Sequence, residues 1–244
     1  MHMFELSGDS LRKIKSLLMS VDMEQFKLCT SRPVTIIATD VSNTARLHIE
    51  LGEDLFYSLT SPDSEILLPC DAFELVEVLN SERMKLKIYP GQQKIKLTGC
   101  GKYTNDYHNK SIPVRFKNKD PIAKTTHPQK NLRHLLSIAR ATELTATITF
   151  DGTDNSVTWF IGKNEIASDI HLLEGKMHFP NTTFINSPSM TVSEQYETGL
   201  LYPIFQNIPE CQDIDLSLYE NGEIQLGYLF LNGLGSVKYR VRSL

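Results

Sequence analysis

The chain has 244 residues, 25 Lys and Arg against 29 Asp and Glu, a formal net charge of −4, and 41% hydrophobic residues. That length suits one large domain or two of about 100–150 residues each, and the composition leaves ample apolar material for a core and no long disordered tail. An acidic total excludes coating of nucleic acid by bulk charge; any contact with DNA requires the cationic residues to be gathered on one surface.

In chain order, Met3–Leu6 is a short apolar segment. Asp9 or Ser10 then reads as the N-cap of a helix carrying Leu11, Ile14, Leu17, Leu18 and Val21 at helical spacing. Its polar side bears Arg12, Lys13, Ser16 and Ser20, with Lys15 at the border. Three strand-like runs follow (EQFKLCT, PVTIIAT, TARLHIEL), and EILLP is a fourth. A second helix is expected over CDAFELVEVLNSER, with Asp71 as cap, Glu74 and Glu77 on its surface and Arg83 near its end. KLKIYPGQQKIKL reads as a hairpin around Pro90-Gly91.

Residues 110–129, with three prolines and no helical period, read as a linker running into an edge strand. KNLRHLLSIARAT then predicts a third helix. Leu132, Leu135, Leu136 and Ala139 make its apolar stripe; Arg133, Ser137 and Arg140 lie opposite, flanked by Lys130 and His134. Three strands are expected from Thr145 to Leu172, with turns at Asp151-Gly152 and Gly162-Lys163-Asn164. The segment SEQYETGLLYPIFQNI is a fourth helix candidate. It carries Glu194 and Glu197, no basic residue, and an ill-placed Pro203. A hairpin across Asn221-Gly222 and a last strand, GSVKYRVRSL, close the chain. Each half thus runs helix, strands, helix, strands, an internal duplication with low residue identity. The expected division is 1–110, a linker over 111–128, and 129–244.

No local pattern points to catalysis. GCGKYT lacks the upstream glycine of a phosphate loop, because Lys96 occupies its place. The histidines form no HExxH, and no GxSxG or Cys-His arrangement occurs. Cys29, Cys70, Cys100 and Cys211 make no CxxC or zinc spacing. With no leader and no membrane-length apolar run, the expectation is an intracellular protein with reduced thiols, no metal and no cofactor. Met1-His2 reads as an addition before a natural start at Met3.

Several stretches resemble DNA sliding clamps, the family of proliferating cell nuclear antigen (PCNA) and its archaeal and T-even phage relatives. ATDVSNTARLHIEL is similar to the clamp's Asp-containing turn and strand. LLPCDAFELVEVLN with MKLKIYPGQQKIKLTG resembles the second helix and hairpin of a clamp's first domain. NLRHLLSIARATELTATITF resembles the phage form of the third helix, and GSVKYRVRSL the terminal strand. The joint order, the length and the duplication carry the resemblance.

The resemblance implies an α+β clamp fold, with two duplicated domains of antiparallel sheets outside and helices on an inner face. It implies assembly edge to edge into a homotrimeric ring around duplex DNA. It implies a processivity factor without chemistry of its own that tethers a DNA polymerase and is placed by a clamp loader. Arg12, Lys13, Lys15, Lys130, Arg133, His134 and Arg140 would then face DNA. Tyr103, Tyr107, Ile166 and Ile170 would join subunits. Val41, Thr44, Val114, Phe116, Tyr239 and Val241 would line a partner-peptide pocket. The residues alone leave alternatives open: basic helix faces are commonly just solvated, and Tyr239 and Val241 equally fit a strand's core. A subunit of a heteromeric clamp and an adaptor ring that never meets DNA are the competing functions.

Overall fold

The computed structural model describes residues 1–20, 23, 25–40, 42–70, 82–99, 102–106, 120–128, 132–134, 136, 145–162, 175–180, 183–184, 190–208 and 213–244. The expected second helix falls outside them over 71–81, as do half of the linker (111–119) and the expected strand after Gly162. The chain divides into two compact units. The first holds Met1–Phe116 with Leu229–Lys238, and the second Lys117–Tyr228 with Tyr239–Leu244.

In the first unit, the opening apolar segment is a strand, β1 (His2–Ser7), which leads directly into α1 (Gly8–Ser20). The cap is Ser7, not Asp9 or Ser10: its hydroxyl accepts the Ser10 amide at 3.0 Å. Ser7 precedes the first helical turn, whereas Asp9 and Ser10 already lie within it. Asp9 instead sits where the helix dipole favours an acid, and pairs with Lys13 at 2.8 Å. The spacing of apolar residues has its predicted effect, for Leu11, Ile14, Leu17 and Leu18 are all buried.

Strands β2 (Gln25–Cys29), β3 (Val34–Thr39) and β4 (Ala45–Leu51) follow as expected, then β5 (Phe56–Thr60) and β6 (Glu65–Pro69). The hairpin is β7 (Arg83–Tyr89) and β8 (Lys94–Thr98), followed by β9 (Lys102–Asp106). Arg83 therefore opens a strand and does not belong to a helix end; from Arg83 the chain alternates exposed and buried residues with the period of a strand. One antiparallel sheet runs β5-β1-β7-β8-β9, and β6-β2-β3-β4 lie side by side in a second.

The second unit repeats the plan. One sheet is β13 (Gly175–Phe179), β12 (Ser156–Gly162), β11 (Thr145–Asp151) and β15 (Thr191–Glu197), in that order. In the other, β10 (Ala123–Pro128) lies between β14 (Thr183–Phe184) and β16 (Asp213–Leu218). The strand β17 (Ile224–Phe230) follows on the far side of β16. Strand β18 (Gly235–Val241) ends the regular structure.

The fourth helix candidate resolves into two elements. Residues 191–197 alternate and pair with β11, so Glu194 lies on a strand, and Glu197 is the flanking residue of α2 (Thr198–Asn207). Pro203 does lie inside that helix, contrary to expectation. The carbonyl it deprives of a donor belongs to Gly199, an exposed residue, and the helix ends one turn later with Asn207 Nδ2 donating to the Pro203 carbonyl at 2.8 Å.

The core of this unit is aromatic. Trp159 on β12 meets Phe205 of α2 edge-on at 6.3 Å, and Tyr196 donates its hydroxyl to the Gly222 carbonyl at 2.7 Å. His127 is fully buried, 3.9 Å from the Phe179 ring and 6.5 Å from Trp159. Burial holds its pKa down at about 4.

Candidate nucleic-acid interface

Because α1 buries one stripe, its other side is fixed toward solvent. Lys13 is exposed, while Arg12 and Lys15 are half-buried, as long cationic side chains at the border of an apolar stripe commonly are. Asp9 is the only acid of this helix against those three cations. The Asp9–Lys13 pair is exposed at both ends, so it is readily exchanged for a phosphate.

In the other unit, 132–134 and 136 are helical. Leu132 and Leu136 are fully buried, Arg133 is half-buried and His134 exposed. The predicted inside and outside therefore hold for the described part of that helix. Lys130 and Arg140 lie outside the described residues. The helix α2 (TGLLYPIFQN) has no charged residue at all. The acids assigned to that segment sit before it, so the helix itself brings no side-chain charge to bear on phosphate.

Of the expected peptide pocket, Val41, Val114 and Phe116 lie outside the described residues. Thr44 belongs to a closed turn built on the buried Asp40 carboxylate. That carboxylate accepts the Thr44 hydroxyl at 2.6 Å, the Ala45 amide at 2.8 Å and the Ser42 hydroxyl. Tyr239 and Val241 are fully buried, and the Tyr239 hydroxyl donates to the Leu200 carbonyl at 3.0 Å. That is the core role the sequence had left open for them.

Of the expected subunit contacts, Tyr103 lies on β9, the last strand of its sheet among the described residues. Its side chain, with Tyr107, Ile166 and Ile170, is outside them. The described residues contain no cluster of three or more potential metal ligands, and none of their helices is long and apolar enough to cross a membrane.

Sequence reasoning missed a row of lysines on the first sheet. Residues 85, 87, 94, 96 and 102 are all Lys, and the first four alternate with buried apolar positions. The signal was visible as KLK and KIK within the predicted hairpin.

PCNA of A. fulgidus, solved with the C-terminal region of FEN-1 bound, superposes with a TM-score of 0.78 at 12% identity, covering 100% of this chain and 98% of that one. The chain has the PCNA-like sliding-clamp fold. PCNA from Thermococcus kodakaraensis matches at a TM-score of 0.74 and 12% identity, over 100% of both chains. The PCNA2–PCNA3 complex of Sulfolobus tokodaii matches at 0.73 and 11%, over 99% of this chain and 98% of that one. No protein-family model matches the sequence, and no curated protein does. At such identity the likeness is one of fold.

Proposed function

We propose that this chain is a DNA sliding clamp, a ring that encircles duplex DNA and tethers polymerase and other DNA enzymes to it. The observation that carries the reading is the combination of the clamp fold over the whole chain with an α1 whose solvent side is cationic on an acidic protein. Phosphate contacts are independent of sequence and sensitive to salt, so they centre a duplex without fixing it at one base pair. Retention then comes from closure of the ring, and each contact can stay weak.

In this reading Arg12, Lys13, Lys15, Lys130, Arg133, His134 and Arg140 form the lumen wall. The ring is a homotrimer closed through head-to-tail edges, with β9 and the segment holding Ile166 and Ile170 as the joined edges. The domains are 1–110 and 129–244, joined by 111–128. A partner peptide docks beside Val41, Thr44, Val114 and Phe116; that the A. fulgidus protein was solved with the C-terminal region of FEN-1 bound supports a peptide-docking role. The protein works with no cofactor and no catalysis, inside the cell with the replicating DNA.

Reversal of Arg12, Lys13, Arg133 and Arg140 to Glu tests the role. Loading on circular DNA and polymerase processivity should collapse while the oligomer persists; unchanged processivity would end the proposal. A second reading, one subunit of a mixed ring, is favoured by the likeness to the PCNA2–PCNA3 complex. A lone species at the 27.7 kDa of the single chain at micromolar concentration would select it.

A further inference from the structure

The sheet β5-β1-β7-β8-β9 has two unlike faces. One is apolar and buried, through Phe4, Met84, Leu86, Ile88, Ile95 and Leu97, and α1 packs against its strands β1 and β7. The other face is presented to solvent by the strand alternation. It bears Arg83, Lys85 and Lys87 on β7, Lys94 and Lys96 on β8, and Lys102 on β9.

Two acids share this face by register. Glu5 stands opposite Lys85 and pairs with it at 3.2 Å, and Asp106 stands opposite Lys94. Six cations against two acids make a strongly positive surface on a chain whose total is −4. Lys87 and Lys96 are direct cross-strand partners. Like charges placed opposite each other weaken a ladder, so folding alone gives no reason for the pair.

Aromatic rings are set among these charges. Tyr57, 54% exposed at the irregularity between β5 and β1, lies 4.3 Å beneath the Arg83 guanidinium. Tyr89 lies 5.5 Å from Lys96 Nζ. A sheet face offering cations for phosphates and tyrosines for bases matches how proteins hold unpaired strands. A duplex keeps its bases stacked inside and leaves the rings without a partner.

We propose that this face binds single-stranded nucleic acid without sequence preference, with phosphates on Lys87, Lys96 and Lys102 and bases on Tyr57 and Tyr89. It uses the sheet face opposite α1 and is independent of ring closure and of the clamp reading. On a clamp it would hold an unpaired strand beside, and separate from, the encircled duplex.

The test is fluorescence anisotropy of the full chain with a labelled oligodeoxythymidine of about 16 nucleotides. Binding at low salt should weaken about 20-fold between about 50 and 200 mM salt if the three named lysines neutralise three phosphates. Lys87→Glu with Lys96→Glu should weaken it at least about tenfold, and the milder Lys87→Gln with Lys96→Gln about threefold or more. Tyr57→Ala should cost about fivefold or more through lost stacking. Thermal melts establish that each variant is folded. No binding at low salt, or binding unmoved by both lysine pairs, overturns the proposal. So does loss in an Arg12→Glu, Lys13→Glu chain with the lysine pairs silent, which places the strand on α1 and leaves the clamp reading intact. Equal affinity for duplex with no effect of Tyr57→Ala, or equal competition by a polyglutamate peptide, also overturns it.

Discussion

The buried His127 makes the second unit sensitive to acid, and the size of the effect follows from its setting. Its ring is packed between Phe179 and Trp159 at full burial, and neither ring nitrogen has a hydrogen-bond partner among the described residues. The imidazolium is disfavoured there, and the folded-state pKa falls from 6.5 to about 4. The unfolded chain binds the proton first. The stability contributed by the neutral ring is therefore fully present above about pH 6.5 and is lost as pH falls toward 4. The total is about 3 kcal/mol, of which about 2 kcal/mol has gone by pH 5.

His127→Phe keeps an aromatic ring against Phe179 and Trp159 and removes the proton. Its absolute stability shifts with the fit of the new ring, by about 1 kcal/mol in either direction. The slope with pH is the readout. Urea unfolding followed by the fluorescence of Trp159, the single tryptophan of the chain, reports on this unit directly. The parent should lose about 2 kcal/mol more than His127→Phe between pH 8 and pH 5. Equal losses in the two chains would refute the reasoning, since His2 and His48, whose pKa values burial also lowers, are present in both.

A second prediction concerns Glu223, which is 3% exposed and holds Arg242 at 3.1 Å and Arg240 at 3.7 Å. Glu223→Ala should destabilise the chain by about 3 kcal/mol in urea melts, because two guanidinium groups lose their buried partner; a loss within about 0.5 kcal/mol would contradict that role. Leu17→Ala, at a fully buried position of α1, should cost about 3 kcal/mol by the same measurement. In duplex-binding titrations, Arg12→Glu with Arg133→Glu should flatten the dependence of log affinity on log salt by about two units per protomer; an unchanged slope would place both residues away from the phosphates.

The parts of the fold that were legible in sequence are those where burial has a regular period. The stripe of α1, the strands β2 to β4 and both hairpins read correctly because every second or every third-to-fourth residue had to be apolar. The cap of α1 was misplaced because Ser7, Asp9 and Ser10 are all capping residues, and only the backbone decides which hydroxyl meets the free amide. The segment before α2 failed for another reason: Tyr196 and Leu201 fit a helical stripe as well as a strand running into a helix. What separated the two was pairing with β11, a contact to a segment 40 or more residues away in the chain.

For the candidate interface, the helices were visible from their cationic sides, but charge alone does not distinguish a lumen from a solvated surface. The lysine face of the first sheet was hidden for the converse reason. Lysines alternating along a strand look like ordinary solubility until register sets Lys87 against Lys96 and brings Tyr57 beneath Arg83.

Encirclement is tested most directly by threading. The protein is mixed with a linear duplex whose ends are open, both ends are then blocked with biotin and streptavidin, and the salt is raised to screen phosphate contacts. A clamp stays on the DNA after that order of addition, fails to bind when the ends are blocked first, and is released when the duplex is cut. Identical binding in both orders, or complete loss at high salt after the ends are closed, would contradict a ring around DNA.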